Sequence, residues 1–115
     1  MRLVDTSIWV DHFRSGNDEL AKLLDRGDVL IHPFVLGELM LGGLPTEVLT
    51  DLRALSRASE AAAAEVESLI ETGALAGRGI GYVDAALLAS ALLDGVRLWT
   101  LDRRLAALAA ERAVG

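Results

Sequence analysis

The chain predicts an α/β fold built on a parallel sheet. Three observations carry that reading. Short apolar runs at Arg2–Val4, Val29–His32 and Arg97–Leu101 recur as candidate strands. The stretches between them place apolar residues at helical spacing. Glycine, proline and asparagine punctuate the junctions. Strands alternating with helices favour parallel pairing through crossover connections. No internal repeat or linker interrupts the pattern, so residues 1–115 are expected to form one domain.

The elements follow in order. The run Arg2–Val4 ends on Asp5 and meets a helix expected from Ser7 to about Arg14. Ser15, Gly16 and Asn17 break the chain, and Asn17 can cap a helix running to Arg26. Gly27 closes that helix. After the strand at Val29–His32, Pro33 opens a helix, where its missing N–H costs nothing. That helix stops at Gly42, Gly43 and Pro45. Thr46 to about Leu55 is the next helix, with Val48, Leu49, Leu52 and Leu55 on one face. Ser59–Thr72 reads as an alanine-rich helix with an acidic outer side. Gly73, Gly77, Gly79 and Gly81 make a loop into Tyr82–Leu93, a helix apolar nearly all round and so expected to be buried. Asp94 and Gly95 turn the chain into the last strand, and Asp102 opens a final helix ending near Arg112.

Bulk properties narrow the classes. Hydrophobic residues make up 52%, enough for a core, and there is no cysteine, hence no disulfide framework and no thiolate metal site. The longest apolar run, Ala85–Leu93, is far too short to span a bilayer, and the first residues lack a signal peptide's apolar region. A soluble cytoplasmic protein is the expectation. The net charge of −6 argues against a nucleic-acid binder when taken alone. Much of it comes from Glu60, Glu65, Glu67 and Glu71, whereas Arg97, Arg103, Arg104 and Arg112 gather near the C-terminus. A site that holds a cation must itself be acidic, and the cation then inverts the local field.

Four acids stand at informative places. Asp5 and Asp102 each follow a predicted strand, where ligands bind in open α/β sheets, yet each also suits a helix cap. Glu38 has Phe34 and Val35 one turn before it and Leu41 one turn after, so it sits in an apolar surface. A carboxylate there is costly unless it is paired or holds a metal. Asp84 shares a face with Leu87, Leu88 and Ala91, though a first-turn aspartate also suits the helix dipole. If the four converge, two like charges about 4 Å apart repel by about 4 kcal/mol at an effective dielectric near 20, and a divalent cation reverses that sign. Oxygen-only donors suit Mg²⁺ or Mn²⁺. His12 and His32 lack ligand spacing and read as structural.

These residues carry a family likeness. LVDTSIWVDHFR, HPFVLGELMLG and YVDAALLASALLDGVRLWTLDRRL resemble the three sequence blocks of PIN-domain ribonucleases, and most closely the VapC toxins. The resemblance implies a three-layer fold with a short parallel sheet flanked by about six or seven helices. It implies a metal-dependent endoribonuclease using Mg²⁺ (or Mn²⁺), with Asp5, Glu38, Asp84 and Asp102 as its acidic site. Asp5 and Asp84 would be the direct ligands. Thr6 and Thr100 fall where supporting hydroxyls are expected. The resemblance also implies an RNA substrate, a VapB-like antitoxin and a homodimer. Phe34, Leu36, Leu39, Met40 and Leu41 cover more than one face of their helix. Either that helix meets a partner or it is buried on both sides. Arg78, Arg103 and Arg104 are candidate phosphate contacts, with a solvated surface as the equal alternative.

Two rivals belong to other classes. A Mg²⁺-binding phosphoacceptor signalling domain would need a lysine late in the chain, but the only lysine is Lys22. A non-catalytic PIN-like binding module would not need all four acids. The glycine loop lacks the Lys-Ser/Thr of a P-loop and does not fit a dinucleotide fingerprint.

Overall fold

The computed structural model describes residues 1–115. Its elements run β1 (Arg2–Val4), α1 (Thr6–Ser15), α2 (Asp18–Asp25), β2 (Val29–Ile31), α3 (Pro33–Leu41), α4 (Thr46–Arg53), β3 (Ser56–Arg57), α5 (Ala63–Thr72), α6 (Tyr82–Asp94), β4 (Arg97–Trp99) and α7 (Arg103–Glu111). The sheet is wholly parallel, in the order β3-β2-β1-β4. The α/β three-layer expectation therefore holds, with seven helices. Right-handed crossovers put helices on opposite faces when the direction of strand addition reverses. Accordingly α1, α3 and α4 pack together, and α5, α6 and α7 form a second group.

The strand order positions the site. From β1 the chain adds β2 and then β3 on one side, and β4 returns to the other side of β1. The reversal lies between β1 and β4, and ligands bind outside the strand carboxyl ends at such a switch point. Register places Val4 beside Trp99, and the Asp5 N–H donates to the Trp99 carbonyl at 2.9 Å. The residues that follow β1 and β4 therefore leave the sheet side by side.

The core lies between these layers. Leu3, Val4, Ile8, Leu87, Leu88, Leu105 and Leu108 are wholly buried. Helix α6 buries every residue from Ala85 to Ala91, as its all-round apolar pattern predicts. It ends at Gly95, whose left-handed φ of 62° closes the helix with an N–H to the Ala91 carbonyl.

Several elements differ from the sequence reading, and three of the differences bear on the sheet and the site. β3 was not expected: it is two exposed polar residues, paired to Leu30 and Ile31 at the sheet edge. Helix α5 starts at Ala63 rather than Ser59, because the Ser59 N–H and hydroxyl both donate to Asp94 and hold that segment off the helix. β4 ends at Trp99 rather than Leu101, because the Leu101 N–H turns away to Ser7.

Candidate active site

Asp5 occupies the switch point. It is only 8% exposed, and its backbone stands at the N-terminus of α1, but its side chain makes no capping bond. Instead its Oδ2 accepts from two hydroxyls, Ser7 Oγ and Thr100 Oγ1, each at 2.8 Å. Each hydroxyl in turn accepts a backbone N–H at 3.0 Å: Ser7 from Leu101 and Thr100 from Asp102. With their acceptor sides occupied, both hydroxyls are directed to donate to Asp5. Its other oxygen, Oδ1, has no protein partner and is not sealed from solvent. This fixes the carboxylate plane and leaves one oxygen facing outward.

Glu38 stands across from this junction, on α3. Its Oε1 accepts from Thr6 Oγ1 at 2.7 Å. The expectation of a buried carboxylate is corrected here. Glu38 is exposed, and the apolar surface around it faces solvent, with Phe34 44% and Leu41 91% exposed. No arginine pairs with it. Helix α3 is thus not buried on both sides: Val35, Leu36 and Leu39 fill the core, while Phe34, Met40 and Leu41 remain outside.

Asp84 is partly buried in the first turn of α6, with a long 3.4 Å contact from the Gly81 N–H. Its carboxyl is pushed above the usual carboxylate range. Partial burial is the main cause, and the negative charges of Asp5, Asp102 and Glu38 add to it against the Gly81 N–H. All four acids therefore share one electrostatic neighbourhood. Asp102 is exposed and does cap α7, accepting from the Leu105 N–H at 2.9 Å. Its cap reading is realised, and its second oxygen makes no protein hydrogen bond.

The four acids do not close into a ligand cluster. No three acidic or histidine side chains stand close enough to grip one ion between them. Glu38, Asp84 and Asp102 are each held by a partner of their own. None of the four is in an ion pair. The donors are all carboxylate oxygens, which is the set that Mg²⁺ or Mn²⁺ accepts.

Thr6 and Thr100 each donate to an acid, and so does Ser7, which the sequence reading missed. A serine beside two other cap-forming residues carries no signal of a partner 94 residues away. Among the basic candidates, Arg78 is engaged by Glu111 at 2.7 Å. Arg104 lies against the glycine loop, donating to the Gly79 carbonyl at 3.4 Å. Arg103 is exposed and unpaired. Both histidines are structural: His32 Nδ1 caps α3 through the Phe34 N–H, and His12 Nδ1 accepts from the Asn17 N–H.

The short parallel α/β sheet flanked by helices is a PIN-like fold, and the chain belongs to the PIN domain family, whose model matches residues 2–111. Within the family it is VapC-like. Ribonuclease VapC32 of Mycobacterium tuberculosis, in strains CDC 1551 / Oshkosh and H37Rv, is 44% identical over 117 residues, covering 99% of this chain and 94% of the relative. The crystal structure of FitAcB from Neisseria gonorrhoeae matches with a TM-score of 0.66 at 21% identity, covering 96% of this chain and 94% of that one. That likeness is one of fold.

Proposed function

We propose that the chain, taken as one PIN-like domain, is a metal-dependent endoribonuclease and the toxin of a VapBC-like toxin–antitoxin pair. One observation carries the reading. Asp5 is buried at the switch point with Oδ2 locked by two hydroxyls, Oδ1 free and no cation paired to it, and together with Glu38 and Asp102 it acts on the Asp84 carboxyl. A carboxylate set so arranged needs a counter-charge. The name of the VapC32 relative supports ribonuclease activity.

A divalent cation held there, Mg²⁺ or Mn²⁺, would supply charge to polarise a scissile phosphate and to lower the pKa of an attacking water. Asp5 and Asp84 are the residues that would hold it. Glu38 and Asp102 would support it, directly or through water, and help to orient the nucleophile. Thr6 and Thr100 aim two of the acids. Arg103 and Arg104 offer positive charge to the RNA backbone, and Arg78 does so only when released from Glu111. The exposed apolar side of α3, formed by Phe34, Met40 and Leu41, suits a VapB-like antitoxin. A homodimer and a cytoplasmic setting belong to the same proposal; no helix is long and apolar enough to cross a membrane.

The test uses purified protein free of antitoxin, incubated with total RNA and Mg²⁺ or Mn²⁺ beside an Asp84→Asn variant. Cleavage by the wild type alone, abolished by EDTA, is the expected outcome. Equal cleavage by both proteins, or cleavage indifferent to EDTA, sinks the proposal.

A further inference from the structure

An apolar notch opens beside Asp84. Its volume is about 190 Å³, and its walls include Ile70, Leu75, Ile80, Gly81, Tyr82 and Ala85. Pockets for drug-sized ligands run to roughly 300–1,000 Å³, so this one has room for a single planar ring.

Two features join the notch to the acids. Gly81 is at once a wall of the notch and the N–H donor facing Asp84. Tyr82 and Ala85 flank Asp84 on the first turn of α6, so the notch and the carboxylate share one piece of backbone. Tyr82 itself is half exposed, at 51%, although α6 is buried from Ala85 to Ala91. The stacked or tilted ring pairs elsewhere are Trp9–Phe13, His12–Phe13 and His32–Phe34, so the Tyr82 ring has no aromatic neighbour.

A cation lies against the loop that leads into the notch. Gly79, at a left-handed φ of 82°, carries Arg104 against its backbone so closely that an added Cβ would meet Arg104 Cδ at 2.8 Å. Arg104 has no carboxylate partner, so its charge is available to an anion. Apolar wall, open aromatic ring and cation thus lie near the N-terminal end of α6, the end that also carries Asp84.

We propose that this notch is a nucleobase subsite: an unpaired base of the RNA substrate stacks on Tyr82 and seats its neighbouring phosphate between Arg104 and the Asp84 side of the acid cluster. The inference rests on the ribonuclease reading. Single-stranded RNA offers unstacked bases for such aromatic platforms, and a duplex does not. The wall is mostly hydrocarbon, so the subsite selects for an unpaired base rather than for one base identity.

The test is a cleavage assay on a single-stranded oligoribonucleotide that the wild type cuts. Tyr82→Ala is expected to raise KM by about 5- to 150-fold, the range of losing one stacked base. Tyr82→Phe retains the ring and should behave as wild type. Ala76→Leu, which narrows the notch, should mimic Tyr82→Ala. An abasic residue beside the cut should slow the wild type and add little to Tyr82→Ala. Tyr82 is the only tyrosine, so fluorotyrosine labelling gives one fluorine NMR signal. That signal should shift when an oligodeoxynucleotide of the same sequence is added in EDTA. A wild type that cleaves no RNA under any divalent condition sinks the ribonuclease reading and the subsite with it. Cleavage by wild type and Tyr82→Ala alike, or an unmoved fluorine signal, sinks the subsite alone. If Tyr82→Ala cuts normally but escapes its antitoxin, the notch belongs to the protein partner and the proposal is overturned.

Discussion

Thr100 Oγ1 donates to Asp5 Oδ2 at 2.8 Å across 95 residues of chain, from the end of β4 to the end of β1. The bond spans the switch point of the sheet, and Ser7 makes a parallel one to the same oxygen. The two hydroxyls therefore act as a unit on Asp5.

Thr100→Ala and Ser7→Ala should each weaken divalent-ion dependence of cleavage by about 10- to 100-fold, the usual effect of removing a residue that orients a metal ligand. The double variant should lose less than the product of the two, because both act on one oxygen. Thr100→Ser should recover most of the loss. Mg²⁺ titrations of the cleavage rate check this; fully multiplicative losses would show that the hydroxyls act separately.

Asp84 opposes folding when no cation is present. Its carboxyl is raised by burial and by three neighbouring acids, so the folded state holds this proton to a higher pH than the unfolded state does. Stability linked to Asp84 therefore falls as pH rises from its ordinary value of 3.8 through the raised one, and stays lower at neutrality. Asp84→Asn should melt higher than the wild type in EDTA at pH about 7 and show a shallower pH slope. With Mg²⁺ at a hundredfold excess over its Kd, the wild type should gain about 2.7 kcal/mol and the variant much less. Thermal melts across pH, with and without Mg²⁺, decide it.

His32 should set an acid limit on stability. It is 2% exposed, and burial holds its pKa below the ordinary 6.5, against a weaker pull from Glu60. Its Nδ1 must stay unprotonated to accept the Phe34 N–H that starts α3. The unfolded state therefore binds this proton first. Stability linked to His32 is full above pH 6.5 and is lost as the pH falls below it. His32→Asn keeps a capping oxygen without the titration and should flatten denaturant midpoints between pH about 7 and 5. An unchanged slope would assign the acid sensitivity elsewhere.

Leu41 is 91% exposed yet apolar, beside Glu38 on α3. Leu41→Asp should change stability by no more than about 0.5 kcal/mol, as for an ordinary surface site. It should weaken antitoxin inhibition at least about tenfold if the outer face of α3 is the docking surface. Cleavage assays titrated with antitoxin measure this, and full inhibition of the variant would place the surface elsewhere.

Much of this was legible in the chain. The α/β class followed from apolar runs alternating with helical periodicity, and the burial of α6 followed from its lack of a polar face. Asp5 and Asp102 stood visibly at strand ends. Local pattern could not rank their roles. Both looked like caps, and only Asp102 is one. Glu38 looked buried because periodicity reports apolar neighbours without saying whether anything covers them. β3 left no trace, since two polar residues at a sheet edge have neither length nor alternation.

The sequence by itself determined the seven helices, the strands β1, β2 and β4, and which acids end up at the strand termini. These are near-neighbour properties, set by side-chain spacing and turn chemistry. Tertiary structure alone decided that β4 lies beside β1, which brings Thr100 to Asp5 and puts Asp5 and Asp102 within electrostatic reach of Asp84. It also decided that Ser7 serves Asp5 and that Arg78 is held by Glu111. Those pairings depend on strand order and layer packing over tens of residues, and no local periodicity encodes a contact at that range.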